Sequence, residues 1–500
     1  MKSIHTLTIV IFISLCFATP VRAGDTGPVY YVNAKTGSDG NDGSAKAPWA
    51  SLQQARRALK GPATVYVYDG DYPFFSETES PHPRGYLHFK AAPHNRPRIF
   101  GIEVAYEQPD DAYLIFEGFE IYREVHRKLV RLKYARHVQV LGSVLHGDRW
   151  SRGPHSGVVG IDIHRSSDVL FRDNRVYEVH VGVMIRHSDN ATVRHNFIKV
   201  KGGSGVTYTY SSKNGLIEYN HMTGEDYTPY PEDPLAVNKP HASIIAISSS
   251  DLVVRGNFMH GFGSSSGVMM YDEVPAYNNI LFESNVLYNS PNNNAFRIYK
   301  LGDNIVLRNN LLFSKIRPGA CNGHTKDARY RYNIALNVHD IAKGYDGSGL
   351  FLYNNIFAGA VLMPEKTTER GNVFWSLAID RNWKARAPSA SSEVITGSYM
   401  GCGNQPQVLE DGTIFRNVRS LAFPQRTVLD ISLTDQFLRK VTVDRSNLPA
   451  YFIDGIDKQG FVREPVPLKD VTYPSVGPVQ RTAPMTGATS QLDKPSNGAR

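Results

Sequence analysis

The chain has 500 residues, of which 41% are hydrophobic and 20% charged, so it can build a sizeable apolar core. Its formal net charge is +8 at pH 7, which favours a polyanionic partner such as nucleic acid, acidic polysaccharide or an anionic cell surface. Beyond its first residues, no apolar stretch approaches the roughly 18 residues that a membrane-spanning helix needs. The sequence therefore excludes a helical membrane protein.

The first 23 residues have the pattern of a signal peptide. Lys2 opens a basic start, residues 7–18 are apolar, and Val21-Arg22-Ala23 is a small-x-small cleavage site. Leu15 before Cys16 is not the small residue that a lipoprotein cleavage site requires. We therefore expect a secreted or periplasmic protein that begins at Gly24, without a lipid anchor.

Two cysteines follow the signal peptide, Cys321 and Cys402. They could form one disulfide in an oxidising compartment, or they could be two separate buried thiols, and the sequence does not decide between these alternatives.

The mature chain opens with a strand, a turn rich in Gly and Asp, and a short helix. Leu52, Ala55 and Leu59 share one face of this helix, whereas Gln53, Arg56 and Lys60 fall elsewhere. We expect Asp39, Asn41 and Asp42 to form a turn, because the full spacing of a calcium loop is absent.

A short motif recurs through the middle of the chain: alternating apolar residues, then Asn, then another apolar pair. Successive copies are 22, 24, 37, 28, 25, 23 and 22 residues apart. Weaker copies lie near Gly118 and Ser143, and Asn372 marks a partial last one. The eight asparagines are Asn174, Asn196, Asn220, Asn257, Asn285, Asn310, Asn333 and Asn355.

Each copy reads as two short strands joined by a bend, where Asn tolerates the left-handed conformation. A third strand precedes each motif, as in residues 160–164, 182–186, 205–209, 242–247, 267–271 and 294–299. Three strands in about 22–25 residues predict an all-β solenoid, a right-handed parallel β-helix over residues 24–375. We expect residues 376–470 to form a C-terminal cap against the last coils, and residues 471–500, rich in Pro, Ser, Thr and Gly, to be disordered.

Over residues 30–375 the chain resembles the pectate-lyase-like right-handed β-helix superfamily. The resemblance is carried by the Asn motifs and by the opening VYYVNAKTGSDGNDGSAKAPWASLQQARRAL. It implies that the short helix caps the open end of the solenoid, and that the protein acts on carbohydrate. In resembling lyases, the strand upstream of the motif forms the floor of the substrate groove.

Two of the steps between coils are over-long. Residues 146–157 and 223–241 are inserted at the same corner, after the motif and before the next upstream strand. Insertions of this kind are more often functional than structural.

Outward positions on the upstream strands predict a stripe of cations, histidines and tyrosines along this groove. The expected catalytic residues are Lys239, His241 and Tyr271 as acid or base, and Arg297 as the residue that neutralises a substrate carboxylate. Expected substrate contacts are His164, Arg186, Tyr299, Lys300 and one of Tyr208 and Tyr210. Candidate ligands for calcium are Asp233, Asp272 and Glu273.

This combination of side chains favours a lyase that cleaves an acidic, uronic-acid polysaccharide by β-elimination. A glycoside hydrolase would pair Asp162 with Asp272 or Glu273, and a uronan C5-epimerase would share the proton abstraction. A non-catalytic binding or surface protein would need only the aromatic and charged residues. We expect a monomer that binds neither nucleic acid nor, through a spanning segment, a membrane.

Overall fold

A computed structural model shows a solenoid of stacked β-coils. It describes residues 27–374 apart from 80–82, 84, 124–127, 148–156, 201–202, 225–242, 261–265, 272–276, 291–293, 300–301, 309, 315–333, 339–346, 354, 359, 365 and 371. Beyond residue 374 it describes only residues 393–394, 451–453 and 465–467.

The N-terminal elements are β1 (Val29–Val32), α1 (Leu52–Ala58), β2 (Ala63–Val67), β3 (Asp71–Tyr72), β4 (Phe75–Glu77), β5 (Leu87–Ala91), β6 (Arg98–Ile99), β7 (Ile102–Glu117), β8 (Glu120–Arg123), β9 (Lys128–Leu141) and β10 (Val144–Gly147). The middle of the chain contains β11 (Val159–His164), β12 (Leu170–Arg172), β13 (Arg175–Val179), β14 (Val181–Arg186), β15 (Thr192–Arg194), β16 (Phe197–Val200), β17 (Val206–Thr209), β18 (Gly215–Glu218) and β19 (His221–Thr223).

The following coils contain β20 (Ile245–Ser248), β21 (Leu252–Arg255), β22 (Phe258–His260), β23 (Val268–Met270), β24 (Ile280–Glu283), β25 (Val286–Ser290), β26 (Asn294–Ile298), β27 (Ile305–Arg308) and β28 (Leu311–Ser314). The last elements are β29 (Ile334–Val338), β30 (Leu350–Tyr353), β31 (Ile356–Ala358), β32 (Ala360–Leu362), β33 (Thr368–Arg370), β34 (Val373–Phe374), β35 (Glu393–Val394), β36 (Tyr451–Ile453) and β37 (Pro465–Pro467).

Three parallel sheets run along the solenoid. The floor sheet contains the strands upstream of the Asn motifs: β4, the first parts of β7 and β9, then β11, β14, β17, β20, β23, β26, β29 and β32. The second sheet starts with β1, β2 and β5, takes the later parts of β7 and β9, and continues through β12, β15, β18, β21, β24, β27, β30 and β33. The third sheet runs from β3 through β6, β8, β10, β13, β16, β19, β22, β25, β28, β31 and β34 to β35.

The predicted right-handed parallel β-helix is confirmed. Its core is formed by alternate residues that point inward from all three sheets, as the period-2 pattern requires. Among the described residues, only β36 and β37 form an antiparallel pair.

The asparagine ladder lies at the bend between the second and third sheets. Each side-chain amide donates to the Oδ1 of the asparagine one coil further on, over distances of 2.9–3.1 Å. Each Oδ1 also accepts from the backbone N–H of the preceding rung, as Asn257 Oδ1 does from Asn220 N at 3.0 Å. Ser143 extends the ladder upstream, because its N–H donates to Asn174 Oδ1 at 2.9 Å.

One predicted rung is wrong. Asn310 donates directly to Asn355, 45 residues later, and Asn355 donates to Asn372, so Asn372 is the eighth rung. Asn333 lies outside the described residues, and the segment directly after it is β29, which pairs with β26 in the floor sheet. The apolar residues after Asn333 therefore belong to a floor strand and not to a motif strand. The sequence pattern does not separate the two, because inward and outward residues alternate in both kinds of strand.

The prediction that asparagine occupies the bend because it tolerates the left-handed conformation is also wrong. None of the eight rungs has a positive φ; the left-handed residue is the one before the rung, as in Asp173, His195, Tyr219 and Gly256. The asparagine is needed instead because its amide satisfies buried backbone groups that a bend leaves without sheet partners.

The short helix is where the sequence predicted it, with Ser51 as its N-cap. Leu52 and Ala55 are buried as expected, and Arg56, which does not share their helical face, is also only 3% exposed. Its guanidinium donates to Glu77 and to the carbonyl of Ala112 at 3.0 Å, and this pairing offsets the cost of burying a charge. The Asp39 carboxylate accepts from the backbone of Ala50 and Ser51, as a turn residue does.

Several predictions concern residues outside the described ranges. These are the signal peptide, Cys321 and Cys402, most of the expected C-terminal cap and the expected disordered tail. No helix in the described part of the chain has both the length and the hydropathy needed to cross a membrane.

The ladder predicts that replacing a buried asparagine lowers the free energy of unfolding much more than replacing an exposed one. Replacement of Asn257 by Ala leaves the N–H of Asn220 and the carbonyl of Ile217 without their side-chain partner inside the core. We expect the free energy of unfolding to fall by about 3 kcal/mol, measured by chemical denaturation.

The matched control is Asn278→Ala. Asn278 Oδ1 accepts from the backbone N–H of Asp303 at 3.0 Å on the exposed surface, and we expect a loss below about 1 kcal/mol. Equal losses for the two variants would contradict the structural role of the buried ladder.

Candidate functional site

Two adjacent rows of outward-facing side chains run along the floor sheet. Strand register places Glu103, Arg131, Asp162, Met184, Thr207, Ala246, Met269, Arg297 and Asn337 in the first row. The second row contains Lys133, His164, Arg186, Thr209 and Ser248, and is continued just past the strand ends by Tyr271 and Tyr299. At about 4.8 Å per coil, six steps of the second row span about 29 Å.

The register confirms that His164, Arg186, Tyr271 and Tyr299 lie in one row. Arg297 lies in the adjacent row on the same coil as Tyr299. The predicted stripe therefore exists along the outer face of the floor sheet, with charged residues towards both ends and small residues (Thr207, Thr209, Ala246, Ser248) between them.

At the N-terminal end of these rows, Asp162 is fully buried beneath two cations. The Arg186 guanidinium donates to its two carboxylate oxygens at 2.8 and 2.9 Å, and Lys128 forms an ion pair with it. These pairs occupy both oxygens of Asp162, so it is poorly placed to act as one of two catalytic carboxylates. They also engage the face of Arg186 that would otherwise bind a substrate carboxylate.

His164 lies on the surface beside this cluster. Partial burial and the nearby Arg186 guanidinium hold the pKa of His164 below its ordinary value of 6.5, while Asp162 acts in the opposite direction. The neutral imidazole is therefore the main form at neutral pH. Its ring centroid is 5.8 Å from that of His187 on the next coil.

Towards the other end of the rows, Arg297 lies half-buried against Tyr299. Its guanidinium carbon is 4.2 Å from the centroid of the Tyr299 ring. Burial lowers the pKa of the Arg297 guanidinium, but an arginine remains protonated in a protein. No acidic side chain in the described ranges forms an ion pair with it, and its Nε has no hydrogen-bond partner.

Two hydroxyls on the same floor also lack partners within the described structure. Thr207 Oγ1 and Ser248 Oγ are buried atoms with no hydrogen bond, one in each row and on successive coils. Buried polar groups are normally satisfied. Arg297 Nε is a third such atom on the same floor, two coils beyond Ser248 and three beyond Thr207.

Tyr208 is not part of this surface. Its register with Ile185 and Ile247 points the ring into the core, where it is fully buried. Its hydroxyl donates to the Asp251 carbonyl at 3.2 Å, and burial raises the pKa of the phenol. Of the two tyrosines expected to contact substrate from this coil, Tyr210 is therefore the candidate, and it is 50% exposed.

The remaining candidates lie outside the described residues: Lys239, His241, Lys300, Asp233, Asp272 and Glu273. Within the described ranges, no group of three or more His, Cys, Asp or Glu side chains could hold a metal ion.

The corner that receives the insertions is confirmed, and it receives a third one. The two predicted insertions connect β10 to β11 and β19 to β20, from the third sheet to the floor. Residues 315–333 make the same connection, from β28 to β29. This segment contains five Lys or Arg residues and one Asp. The sequence pattern does not reveal this insertion, because Asn333 has the spacing of a rung and so divides one long coil into two of ordinary length.

Three further cations of the N-terminal end were also missed: Lys128, Arg131 and Lys133. The pattern of residues 128–134 predicts that Arg131 and Lys133 point outward, because they alternate with the apolar Val130 and Leu132, which are buried.

Comparison with known proteins agrees with this architecture. A family model described as a right-handed β-helix region matches residues 155–331, and no curated protein matches the sequence. The chain thus has the right-handed β-helix architecture that the resemblance to pectate-lyase-like proteins implied.

Several solved structures are similar to the chain. Pectate lyase Pel9A is 14% identical, over 69% of this chain and 80% of that one, with a TM-score of 0.42. A rhamnogalacturonan lyase is 12% identical, over 80% and 93% of the two chains, with a TM-score of 0.35. The GH136 lacto-N-biosidase from Eubacterium ramulus is 15% identical, over 56% and 64%, with a TM-score of 0.32. With TM-scores below 0.5, these likenesses bear on neither the reaction nor the substrate of this chain.

The two charged neighbours of His164 predict how its pKa changes when either of them is replaced. Because the Arg186 guanidinium lowers the pKa of His164 and the Asp162 carboxylate raises it, Arg186→Gln should raise this pKa and Asp162→Asn should lower it further. Imidazole chemical shifts measured by NMR against pH test both signs. Shifts in the same direction in the two variants would contradict the arrangement.

Proposed function

We propose that this chain is an exported β-helix lyase that cleaves a uronic-acid polysaccharide by β-elimination. The observation that carries the proposal is Arg297, a half-buried cation on the groove floor with no acidic partner in the described structure. Its guanidinium stacks on Tyr299, and two unpartnered hydroxyls lie on the same floor, that of Ser248 two coils away and that of Thr207 three coils away. A uronate oligosaccharide, which carries a carboxylate on each sugar and hydroxyls along its length, has the chemistry to bind along such a floor.

The reaction needs three functions. A cation neutralises the carboxylate on C5, which makes the C5 proton acidic, and we assign this function to Arg297. A base removes the C5 proton, a C4–C5 double bond forms, and the bond from C4 to the glycosidic oxygen breaks. An acid then protonates the leaving oxygen. We assign the base and acid functions to residues among Lys239, His241 and Tyr271.

Other residues are assigned to binding. Tyr299 and Lys300 would contact the sugar next to Arg297, and His164, Arg186 and Tyr210 would contact sugars further along the groove. If a calcium ion assists in neutralising the carboxylate, Asp233, Asp272 and Glu273 are the residues proposed to hold it. The basic insertion at 315–333 would add positive charge on the same side of the floor, which would attract an acidic polymer.

The test is a panel of purified polyuronates, including alginate, pectate and a glucuronan, followed by ultraviolet absorbance of the unsaturated uronate product. Activity on one of them should fall about 10- to 100-fold in Arg297→Ala, because a charge-assisted hydrogen bond is lost. Lys239→Ala, His241→Ala or Tyr271→Phe should reduce kcat by about 100-fold or more where the residue transfers a proton.

The control is Lys46→Ala, an exposed lysine in the N-terminal turn, which should retain full activity. Full activity in Arg297→Ala would reject the assigned site. Reducing ends without absorbance would identify a hydrolase, and inversion at C5 without cleavage an epimerase. Tight binding with no reaction would identify a binding protein.

A further inference from the structure

Four consecutive coils carry an aromatic or cationic side chain at the corner where the floor strands end. We call this row the corner platform: Tyr134, Arg165, His187 and Tyr210. Register fixes the row, because each residue follows its neighbour in the aligned set Lys133, His164, Arg186 and Thr209. The row rises about 14 Å over its three steps.

The side chains of the platform contact one another along the solenoid axis. The rings of His187 and Tyr210 stack, with centroids 5.4 Å apart and planes inclined by 17°. The Arg165 guanidinium lies 5.5 Å from the centroid of the Tyr134 ring and also donates to the Tyr134 hydroxyl. Tyr210 is 50% exposed, so about half of its surface is available to a ligand.

The backbone of the platform is unusual for these residue types. All four residues have positive φ, between 50° and 55°. A left-handed conformation costs free energy for any residue with a Cβ, and asparagine or aspartate tolerates it best. Three or four residues further along three of these coils, the chain does use Asp168, Asn190 and Asn214 at left-handed positions. Large side chains in costly conformations often mark functional surfaces.

A buried serine ladder lies directly beneath the platform. Ser166 N donates to Ser188 Oγ at 3.1 Å, and Ser188 N donates to Ser212 Oγ at the same distance. These bonds fix the backbone of successive coils on the core side, so the exposed side chains are presented at a constant spacing.

Two cations at the platform have no ion-pair partner among the described residues. Lys133 lies 5.3 Å from the centroid of the Tyr134 ring, and neither Lys133 nor Arg165 forms an ion pair within the described structure. On the adjacent floor, Asp162 is already paired with Lys128 and Arg186, and Glu103 with Arg131. These two acids are therefore not available to pair with Lys133 and Arg165.

We propose that the corner platform is a sugar-binding site for an acidic oligosaccharide of two or three units. The exposed part of Tyr210 in the His187–Tyr210 stack would pack against the apolar face of a pyranose ring, and Lys133 and Arg165 would meet its carboxylates. The nature of the ligand rests on the proposed function. The platform begins about three coils from Arg297, roughly 14 Å along the axis, and would hold the part of a long polymer that lies beyond the reacting sugar.

The direct test is binding, measured by isothermal titration calorimetry with a trimer of the uronate that the protein recognises best, or with each trimer of the panel if none is cleaved. Tyr210→Ala should weaken binding at the platform about fivefold and Tyr210→Phe should retain it, because the ring is kept. Arg165→Gln should weaken it about threefold at low salt, and the difference should shrink as salt is added. Arg175→Ala, which removes a cation lying over the Phe197 ring on the third sheet, should change nothing.

A second readout separates binding from folding. Tyr210→Asn should keep or raise the melting temperature, because asparagine tolerates the left-handed backbone, while it weakens binding as Tyr210→Ala does. Unchanged affinity in Tyr210→Ala and Arg165→Gln, with both variants folded, would overturn the proposal.

Kinetics distinguish this proposal from the assignment of the reaction. If the protein is a lyase, the platform variants should raise KM on long polymers and leave kcat unchanged, and should leave KM on substrates too short to reach the platform unchanged. A protein that cleaves none of the polymers but binds trimers through Tyr210 would reject the lyase and keep the platform. A lyase whose KM on long polymers is unaffected by Tyr210→Ala would keep the reaction and reject the platform.

Discussion

The hydrogen bond from one asparagine amide to the next is the interaction on which the rest of the molecule depends. Each coil turns sharply between the second and third sheets, and the turn leaves backbone groups in the core that no strand can pair. The amide satisfies these groups and, in the same geometry, binds the coil above. Because a buried donor without a partner costs about 1–3 kcal/mol, a coil out of register by one residue would be expensive at every rung. The ladder therefore fixes the phase of all three sheets.

Because successive coils share one phase, residues that are far apart in sequence line up in straight rows on the surface. Arg186 and Tyr299 are 113 positions apart by number, yet both lie in one row of the floor sheet. Three long connections join the third sheet to the floor at one corner. At the opposite corner, five residues separate β11 from β12, β14 from β15 and β17 from β18, whereas some later connections are longer, as in residues 339–349. The aromatic and cationic platform thus lies where the turns of this corner are short and uniform.

Much of this could be predicted from the sequence because the repeat is periodic. The fold, the floor strands, the row of His164, Arg186, Tyr271 and Tyr299, and the corner of the insertions all follow from strand alternation and from the phase of the asparagines. Prediction failed where alternation is ambiguous. Asn333 is preceded and followed by apolar residues, as a rung is, and nothing local shows that the next strand belongs to the floor. Tyr208 and Tyr210 have the same parity, so only the end of the strand separates the buried ring from the exposed one. The pairing of Asp162 with Arg186 and Lys128 depends on contacts between coils that no single motif contains.

The central claim is that an acidic polymer lies along the floor sheet with a carboxylate at Arg297. A crystal structure of the Tyr271→Phe variant with a bound uronate oligosaccharide tests this claim most directly. The account predicts sugar rings running parallel to the solenoid axis, one carboxylate against the Arg297 guanidinium, and hydroxyls within hydrogen-bond distance of Thr207 and Ser248. An oligosaccharide bound to the second or third sheet, with the floor empty, would contradict it.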